Sequence, residues 1–139
     1  MGTNTGNLRW REAENELERV WKIELNHPIT TGLPDYFDIP QTEMYGERFD
    51  IPAPEELLFI SWYEGGEVFR SGCTFKRGNG KIFFFSPGHE SFPIYCRPEV
   101  QQIIINAVKW AAPPAYESFV TGQCPDSPEA IRKGTCETK

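Results

Sequence analysis

Hydrophobic residues in the middle of the chain fall into three runs that predict consecutive β-strands. Residues 57–63, 67–76 and 81–86 are rich in aromatic and branched side chains, and glycine-containing turns separate them. The turns at residues 64–66 and 77–80 are short enough for hairpins, because glycine readily adopts the positive φ angles that tight turns require. The pattern therefore predicts a three-stranded meander.

A helical pattern follows the predicted meander. In residues 98–112 the apolar side chains recur at intervals of three and four residues, which is typical of an amphipathic helix. Pro98 suits the first turn of a helix, whereas Pro113 and Pro114 cannot continue one. We therefore expect one long helix packed on one face of the sheet. Its predicted apolar stripe consists of Val100, Ile103, Ile104, Ala107, Val108 and Ala111.

The first third of the chain gives weaker signals. Residues 19–25 alternate between apolar and polar side chains, which predicts a half-buried strand, and residues 36–39 predict a second short strand. Between these strands Pro28 predicts a single helical turn. Residues 8–18 contain helix formers on a mixed face, and residues 41–50 are predicted to be partly irregular.

The third strand of the meander ends at chemically useful side chains. Its run Ile82–Phe85 is almost continuously apolar, which is typical of a strand buried on both faces of a parallel sheet. Proline gives a sheet no backbone hydrogen bond, so Pro87 ends the strand. His89 and Glu90 follow, and ligands of open α/β sheets bind beyond the carboxyl ends of the strands. Since one helix cannot cover both faces, we expect one face of this strand to lack cover.

Composition excludes several classes of protein. The 139 residues predict one domain, and the net charge of −6 with scattered lysine and arginine argues against nucleic-acid binding. No apolar run approaches the ~20 residues that cross a membrane. Residues 1–7 are polar and lack the apolar region of a secretory signal, so we expect a cytoplasmic protein.

The cysteines do not predict a metal framework. No pair has the C-x-x-C spacing, and the only histidines that could complete a zinc site are His27 and His89. Cys73 and Cys96 lack a neighbouring base, so we interpret both as packing thiols. The remaining cysteines are Cys124 and Cys136.

A series of motifs resembles the ThuA-like trehalose-utilisation family, over roughly residues 2–112. The motifs, in order, are His27–Pro34, Glu43–Glu47, Gly65–Gly72, Gly80–Phe84 and Pro87–Glu90. Members of that family resemble class I glutamine amidotransferases, with a flavodoxin-like parallel sheet between helices. The resemblance therefore implies an α/β fold that is the carboxyl half of such a sheet, in a domain of residues 1–114. The opening βα units of the amino half have no counterpart here, and residues 115–139 are expected to form a polar, turn-rich tail.

The resemblance also implies a function and candidate residues. It implies carbohydrate catabolism, with a trehalose-type disaccharide or an oxidised keto-sugar as substrate, through glycosidic cleavage or proton transfer next to a carbonyl. His89, Glu90 and Glu43 are the candidate catalytic residues, and Tyr45 and Arg70 the candidate substrate-binding residues. His89 can act as a general acid or base, or as a ligand of a divalent metal such as zinc. Amidotransferase activity is not implied, because that nucleophile would belong to the amino half.

Each candidate has a structural alternative. His89 can be a turn residue bonded to the backbone, and Glu90 an exposed or helix-capping carboxylate. Glu43 and Tyr45 can be ordinary polar loop residues, whereas Arg70 among apolar neighbours indicates an ion pair with a carboxylate. The whole chain has an alternative function as well. It can be a non-catalytic sugar-binding or assembly module, completed by self-association or by another chain.

Trp62 and Tyr63 form an aromatic pair near the end of the first predicted strand. An indole ring can stack on a sugar, but a tryptophan in a predicted strand is more commonly a core residue. We therefore expect Trp62 in the core.

Overall fold

The computed structural model of the protein describes residues 7–89 and 91–112 and consists there of strands, two short 3-10 turns and one α-helix. The predicted tail, residues 115–139, lies outside the described residues, as does Glu90. The elements are β1 (Arg9–Glu12), β2 (Glu18–Lys22), β3 (Tyr36–Ile39), β4 (Glu43–Gly46), β5 (Glu56–Tyr63), β6 (Val68–Arg77), β7 (Gly80–Phe85) and α1 (Pro98–Ala111), with 3-10 turns at Pro28–Thr30 and Pro93–Cys96. No helix within the described residues is long and apolar enough to cross a membrane.

Five strands form the main sheet, in the order β3-β2-β5-β6-β7, and every neighbouring pair is antiparallel. The predicted meander is confirmed as β5-β6-β7, and the predicted helix as α1. The fold is therefore α/β with an antiparallel sheet and one carboxyl-terminal helix. The parallel neighbours expected for residues 81–86 are not found within the described residues, because β7 is an edge strand there and pairs antiparallel with β6. Short hairpin turns enforce this result, since parallel neighbours need a long crossover.

Helix α1 covers the inner face of the main sheet. Val100 and Ile103 of α1 are fully buried in the core, together with Ile29 of the first 3-10 turn. Asn106 fixes that turn by donating hydrogen bonds to the backbone carbonyls of Ile29 (3.0 Å) and Thr31 (2.8 Å). The buried members of this core are Val20, Ile29, Leu33, Phe37, Ile39, Leu58, Phe59, Ile94, Val100 and Ile103.

The apolar stripe of α1 is wider than the surface that the chain covers. Ile104 and Val108 were expected in the stripe, but 39% and 65% of their surfaces remain exposed. They border an open groove of about 330 Å³ beside β7, which Phe83 and Phe85 line from the sheet. The helix therefore leaves an apolar surface at the edge of the sheet.

The second face of β7 is covered by the chain itself. Phe84 packs against Phe49 and Phe69, with ring centroids 6.1 Å and 6.5 Å away. These side chains belong to a smaller core with Met44 and Tyr63. The expectation that one face of this strand lacks cover is therefore wrong, and the strand's outer edge is what stays open.

Residues 8–18, which contain helix formers, include an extended segment and not a helix. Strand β1 pairs antiparallel with β4, inside the stretch of residues 41–50 that was expected to be partly irregular. Arg11 of β1 forms ion pairs with Glu16 and, at 2.7 Å, with Glu67. The charged residues that made residues 8–18 a mixed helical pattern therefore form ion pairs, and these ion pairs hold the β1-β4 sheet against the β5-β6 turn.

Candidate functional site

The start of β4 meets the turn that follows β7. The hydroxyl oxygen of Thr42 lies 3.4 Å from the backbone carbonyl oxygen of Pro87. Gly88 adopts a φ of +114°, and a side chain there would collide with the Thr42 hydroxyl and with Ile94. Only glycine fits this close approach, so the turn that leads to His89 packs against Thr42, the residue before β4.

The His89 ring is held within its own turn. Its Nδ1 accepts a hydrogen bond from the backbone N–H of Ser91 (3.2 Å) and lies 2.9 Å from the Ser91 hydroxyl oxygen. When Nδ1 accepts from a backbone donor, a neutral imidazole carries its proton on Nε2. The structural alternative for His89, a turn histidine bonded to the backbone, is therefore observed, and in the neutral ring this geometry puts the proton on Nε2.

Glu43 and Tyr45 are brought together on β4. The Tyr45 hydroxyl donates a hydrogen bond of 2.7 Å to Glu43 Oε2. Only 9% of the Glu43 surface is exposed. The two residues therefore form a shielded carboxylate–phenol pair. In the sequence they follow Thr42, which contacts Pro87, by one and three positions.

We call the contact of Thr42 with Pro87 and Gly88 the junction. A cavity of about 250 Å³ borders it. It lies between the end of β3 and the second 3-10 turn, and Gln41 and Ile94 connect it to the Thr42–Gly88 contact. Arg97 supplies its cationic group. The lining residues are Ile39, Pro40, Gln41, Pro93, Ile94 and Arg97.

Arg97 is a candidate that the sequence analysis missed. One Nη2 hydrogen bond of 3.0 Å to the backbone carbonyl of Asp38 anchors its side chain. Its Nε lies 3.8 Å from a carboxylate oxygen of Glu99 and has no hydrogen-bond partner among the described residues. Its place before Pro98 marked it as the residue at the helix start, but no sequence spacing connects it with the end of β3.

Arg70 lies in an ion pair, as its structural alternative proposed. Its Nε donates to Glu47 Oε1 at 2.7 Å, and its Nη2 donates to the backbone carbonyl of Phe49, also at 2.7 Å. Burial favours a higher pKa for Glu47, but the Arg70 hydrogen bonds outweigh it, and the pKa is lowered. Arg70 does not line the cavity beside Arg97. Its role in substrate binding stays a prediction.

The described residues do not offer a metal site. Among residues 7–89 and 91–112, no group of three or more histidine, cysteine, aspartate or glutamate side chains could hold an ion. His27 is engaged elsewhere, since its Nδ1 accepts from the Ile29 N–H at 3.1 Å and its Nε2 lies 3.4 Å from Glu56. Burial lowers the pKa of His27, which keeps it neutral. A zinc ion on His89 does not fit the donors in this part of the chain.

A buried acid lies beneath the junction, and the sequence analysis missed it. Glu18 of β2 is fully buried, and the Ser61 hydroxyl donates a hydrogen bond to it. Burial raises the pKa of Glu18 to about 8, although interactions with Ser61, Tyr63 and Thr42 oppose the shift. A signal existed, because Glu18 is two residues from the core residue Val20 and alternation puts both on one face.

Two further expectations have clear outcomes. Cys73 is buried, and burial raises the pKa of its thiol to about 11, so it is a packing thiol as predicted. Cys96 is exposed, and its interpretation as a packing thiol is wrong because the 3-10 turn at Pro93–Cys96 buries only Ile94. The core prediction for Trp62 is also wrong, since it borders an open cleft on the outer face of the sheet.

Comparison with known proteins agrees with the order of motifs. No curated protein shows significant similarity to the chain. The model of the ThuA family, described as trehalose utilisation, matches residues 1–111. Since the match covers most of the chain, the protein belongs to the ThuA trehalose-utilisation family.

Proposed function

We propose that this protein acts in the cytoplasm on a trehalose-type disaccharide or its keto derivative, in carbohydrate catabolism. The observation that carries the proposal is the contact of Thr42 with Pro87 and Gly88. It holds the turn that leads to His89 against Thr42, the residue before Glu43, and the cavity of about 250 Å³ borders the same contact through Gln41 and Ile94. Shielded proton-transfer groups beside a cavity are a common arrangement in enzymes.

The chemistry would be proton transfer. In this proposal Glu43 is the base, and the Tyr45 hydroxyl fixes its orientation through the 2.7 Å hydrogen bond. His89 donates its Nε2 proton to the oxygen that gains negative charge, which is the glycosidic oxygen in a hydrolase or the carbonyl oxygen in an isomerase. Both reaction classes need one acceptor and one donor, and this site offers both.

Arg97 would hold the sugar. Its guanidinium has five N–H donors, and its Nε has no hydrogen-bond partner among the described residues. Because Nε itself is buried, a hydroxyl or carbonyl oxygen of the substrate would accept from the Nη groups of the partly exposed guanidinium. The apolar walls formed by Pro40, Pro93 and Ile94 would contact the C–H faces of the ring. We therefore assign substrate orientation to Arg97 and leave Arg70 in its ion pair with Glu47.

Turnover of trehalose and of its keto derivative by the full chain tests the proposal. His89→Ala and Glu43→Gln should each lower turnover by ~10²-fold or more, the usual scale for a lost acid or base group. Glu64→Gln, at an exposed position in the β5-β6 turn, is the matched control and should retain full turnover. Melting temperatures of the same preparations separate chemistry from folding. Turnover that survives both substitutions would overturn the proposal.

A second candidate function rests on the open edge of β7. Among the described residues no strand pairs with that edge, which lies beside the apolar groove lined by Phe83, Phe85, Ile104 and Val108. An added strand, from another chain or another part of a longer protein, would pair there and extend the sheet towards a flavodoxin-like, class I glutamine amidotransferase-like arrangement. The chain would then be a non-catalytic sugar-binding or assembly module.

Sedimentation velocity distinguishes this second function from catalysis. If the edge is an assembly surface, the wild-type chain self-associates, and Val108→Glu restores a monomer because it places a charge in the groove. The exposed residue Lys109 supplies a control, since Lys109→Glu on the same helix does not line this groove. A wild-type monomer at all concentrations would refute self-association.

A further inference from the structure

The outer face of the main sheet carries an ordered group of aromatic and charged side chains. Strand β2 turns Val20 towards the core, so alternation turns Arg19 and Trp21 to the opposite face. The strand register places Asp38 and Trp62 on either side of Arg19, and Tyr36 and Ile60 on either side of Trp21. We call Trp21, Tyr36, Trp62, Arg19 and Asp38 the aromatic platform.

The aromatic platform is open to ligand. Trp21 and Tyr36 are 41% and 46% exposed, and their ring centroids lie 4.9 Å apart. A cleft of about 420 Å³ runs between Trp21 and Trp62, within the range of small-molecule sites. Both tryptophans line it, with Ile60 and Val68 as its apolar floor and Arg19 as its polar wall. The exposed Trp21 ring and the partly exposed Trp62 ring therefore face one concave space, and Tyr36 packs on Trp21 beside it.

The polar side of the cleft is fixed in one geometry. Arg19 donates two parallel hydrogen bonds to Asp38, of 2.7 Å and 2.8 Å, and its guanidinium lies 4.7 Å from the centroid of the Tyr36 ring. Such a fork leaves three of the five arginine N–H groups, and the remaining lone pairs of the carboxylate, for other partners. The pair has no net charge. It therefore matches an uncharged ligand that offers adjacent hydroxyl groups as both donors and acceptors.

We propose that the aromatic platform binds a neutral saccharide. The C–H face of a pyranose ring would lie on the negative π faces of Trp21 and Trp62, with its hydroxyl groups directed to Arg19 and Asp38. This surface lies on the sheet face opposite to Val20 and the helix, whereas Thr42 lies beside the inward-facing Glu18. The inference is therefore independent of the reaction proposed around His89.

Nuclear magnetic resonance of the full chain tests the proposal directly, with trehalose and maltose as probes. Each disaccharide should shift the indole N–H signals of Trp21 and Trp62. Trp10 is 66% exposed in the other sheet, and its signal should stay unchanged as an internal control. The absence of shifts at Trp21 and Trp62 with both sugars at tens of millimolar would overturn the proposal, as would shifts confined to other residues.

Variants then identify the contacts. Trp21→Ala should weaken trehalose affinity about tenfold, the scale of one lost aromatic contact, and Asp38→Asn should weaken it severalfold. Trp10→Ala, in the other sheet, should leave the affinity measured from the Trp21 and Trp62 indole shifts unchanged. If Trp21→Ala lowers the melting temperature, its affinity cannot be interpreted. Saccharide binding is then judged from the affinity of Asp38→Asn and from the indole shifts of wild type. An unchanged affinity in Asp38→Asn and Trp21→Ala would refute the proposal. Sedimentation that shows dimers of wild type and monomers of Trp21→Ala would also refute the proposal, because the aromatic platform would then join two copies of the chain.

Discussion

Replacing Glu18 with glutamine should remove a pH dependence from the stability of the protein. Glu18 is fully buried beside the Ser61 hydroxyl, and one of its carboxyl oxygens, Oε2, has no hydrogen-bond partner among the described residues. Glutamine has the same shape and can still accept the Ser61 hydrogen bond, but it cannot ionise. The substitution therefore changes the titration of this site with little change in packing.

The magnitude follows from the pKa of Glu18, which burial raises from 4.5 to about 8. Between these values the folded protein retains a proton that the unfolded chain has released. The contribution of Glu18 to stability is therefore greatest below pH 4.5, falls as the pH rises, and levels off above about pH 8. The slope is about 1.4 kcal/mol per pH unit, and the loss across the window is about 5 kcal/mol. A loss of this size is comparable with the total stability of many domains.

Urea unfolding of wild type and Glu18→Gln at pH 5, 6, 7 and 8 measures this effect. The difference between the two proteins cancels all other titrating groups, and Glu18→Gln should become progressively more stable than wild type towards pH 8. Glu64→Gln, in an exposed turn, should follow wild type throughout. A difference between wild type and Glu18→Gln that stays constant from pH 5 to pH 8 would refute the reasoning, because it would mean that Glu18 titrates alike in both states.

Three further substitutions test single contacts by urea unfolding. Gly88→Ala should lower the free energy of unfolding by about 2–3 kcal/mol, because it adds a side chain at a φ of +114° against a neighbouring hydroxyl. The control Gly32→Ala, at +77° with open space around it, should lower it by only about 1 kcal/mol. Equal losses would contradict the collision. Arg70→Lys cannot make the paired hydrogen bonds to Glu47 and should lose about 1 kcal/mol, and an unchanged midpoint would argue against that pair. Burial lowers the pKa of His27, so wild type should lose stability relative to His27→Gln as the pH falls below its ordinary value of 6.5; parallel pH profiles would exclude this.

Local signals made the meander and helix α1 predictable. Strands β5, β6 and β7 are joined by short turns, so their pairing depends on neighbouring residues alone. Pro98 and the periodic apolar residues after it define the start and length of α1 in the same way. The sequence also marked Gly88 and His89, because a proline and a glycine after an apolar run indicate the end of a strand.

Contacts between distant segments could not be predicted. Phe84 finds its cover in Phe49 and Phe69, and no periodicity within residues 81–86 carries that information. Arg97 reaches the carbonyl of Asp38 across a separation of 59 residues. The edge position of β7 also depends on the whole sheet. A run of phenylalanines has the same sequence pattern in a central strand as in an edge strand whose two faces are covered by a helix and a second core.

Strand β2 connects the buried acid with the aromatic platform. Its alternation puts Glu18 and Val20 on the inner face and Arg19 and Trp21 on the outer face. A slip of one residue would exchange the two sets and bury the guanidinium of Arg19 without a partner, so both faces specify the same register. A saccharide on the outer face would bind only the correctly registered, folded strand and would stabilise it by mass action. Ionisation of Glu18 on the inner face acts against the same folded state. Since the two faces act on one folded state without a shared contact, a fixed trehalose concentration should raise the free energy of unfolding by the same amount at pH 5 and at pH 8, and a different gain at the two pH values would indicate coupling through β2.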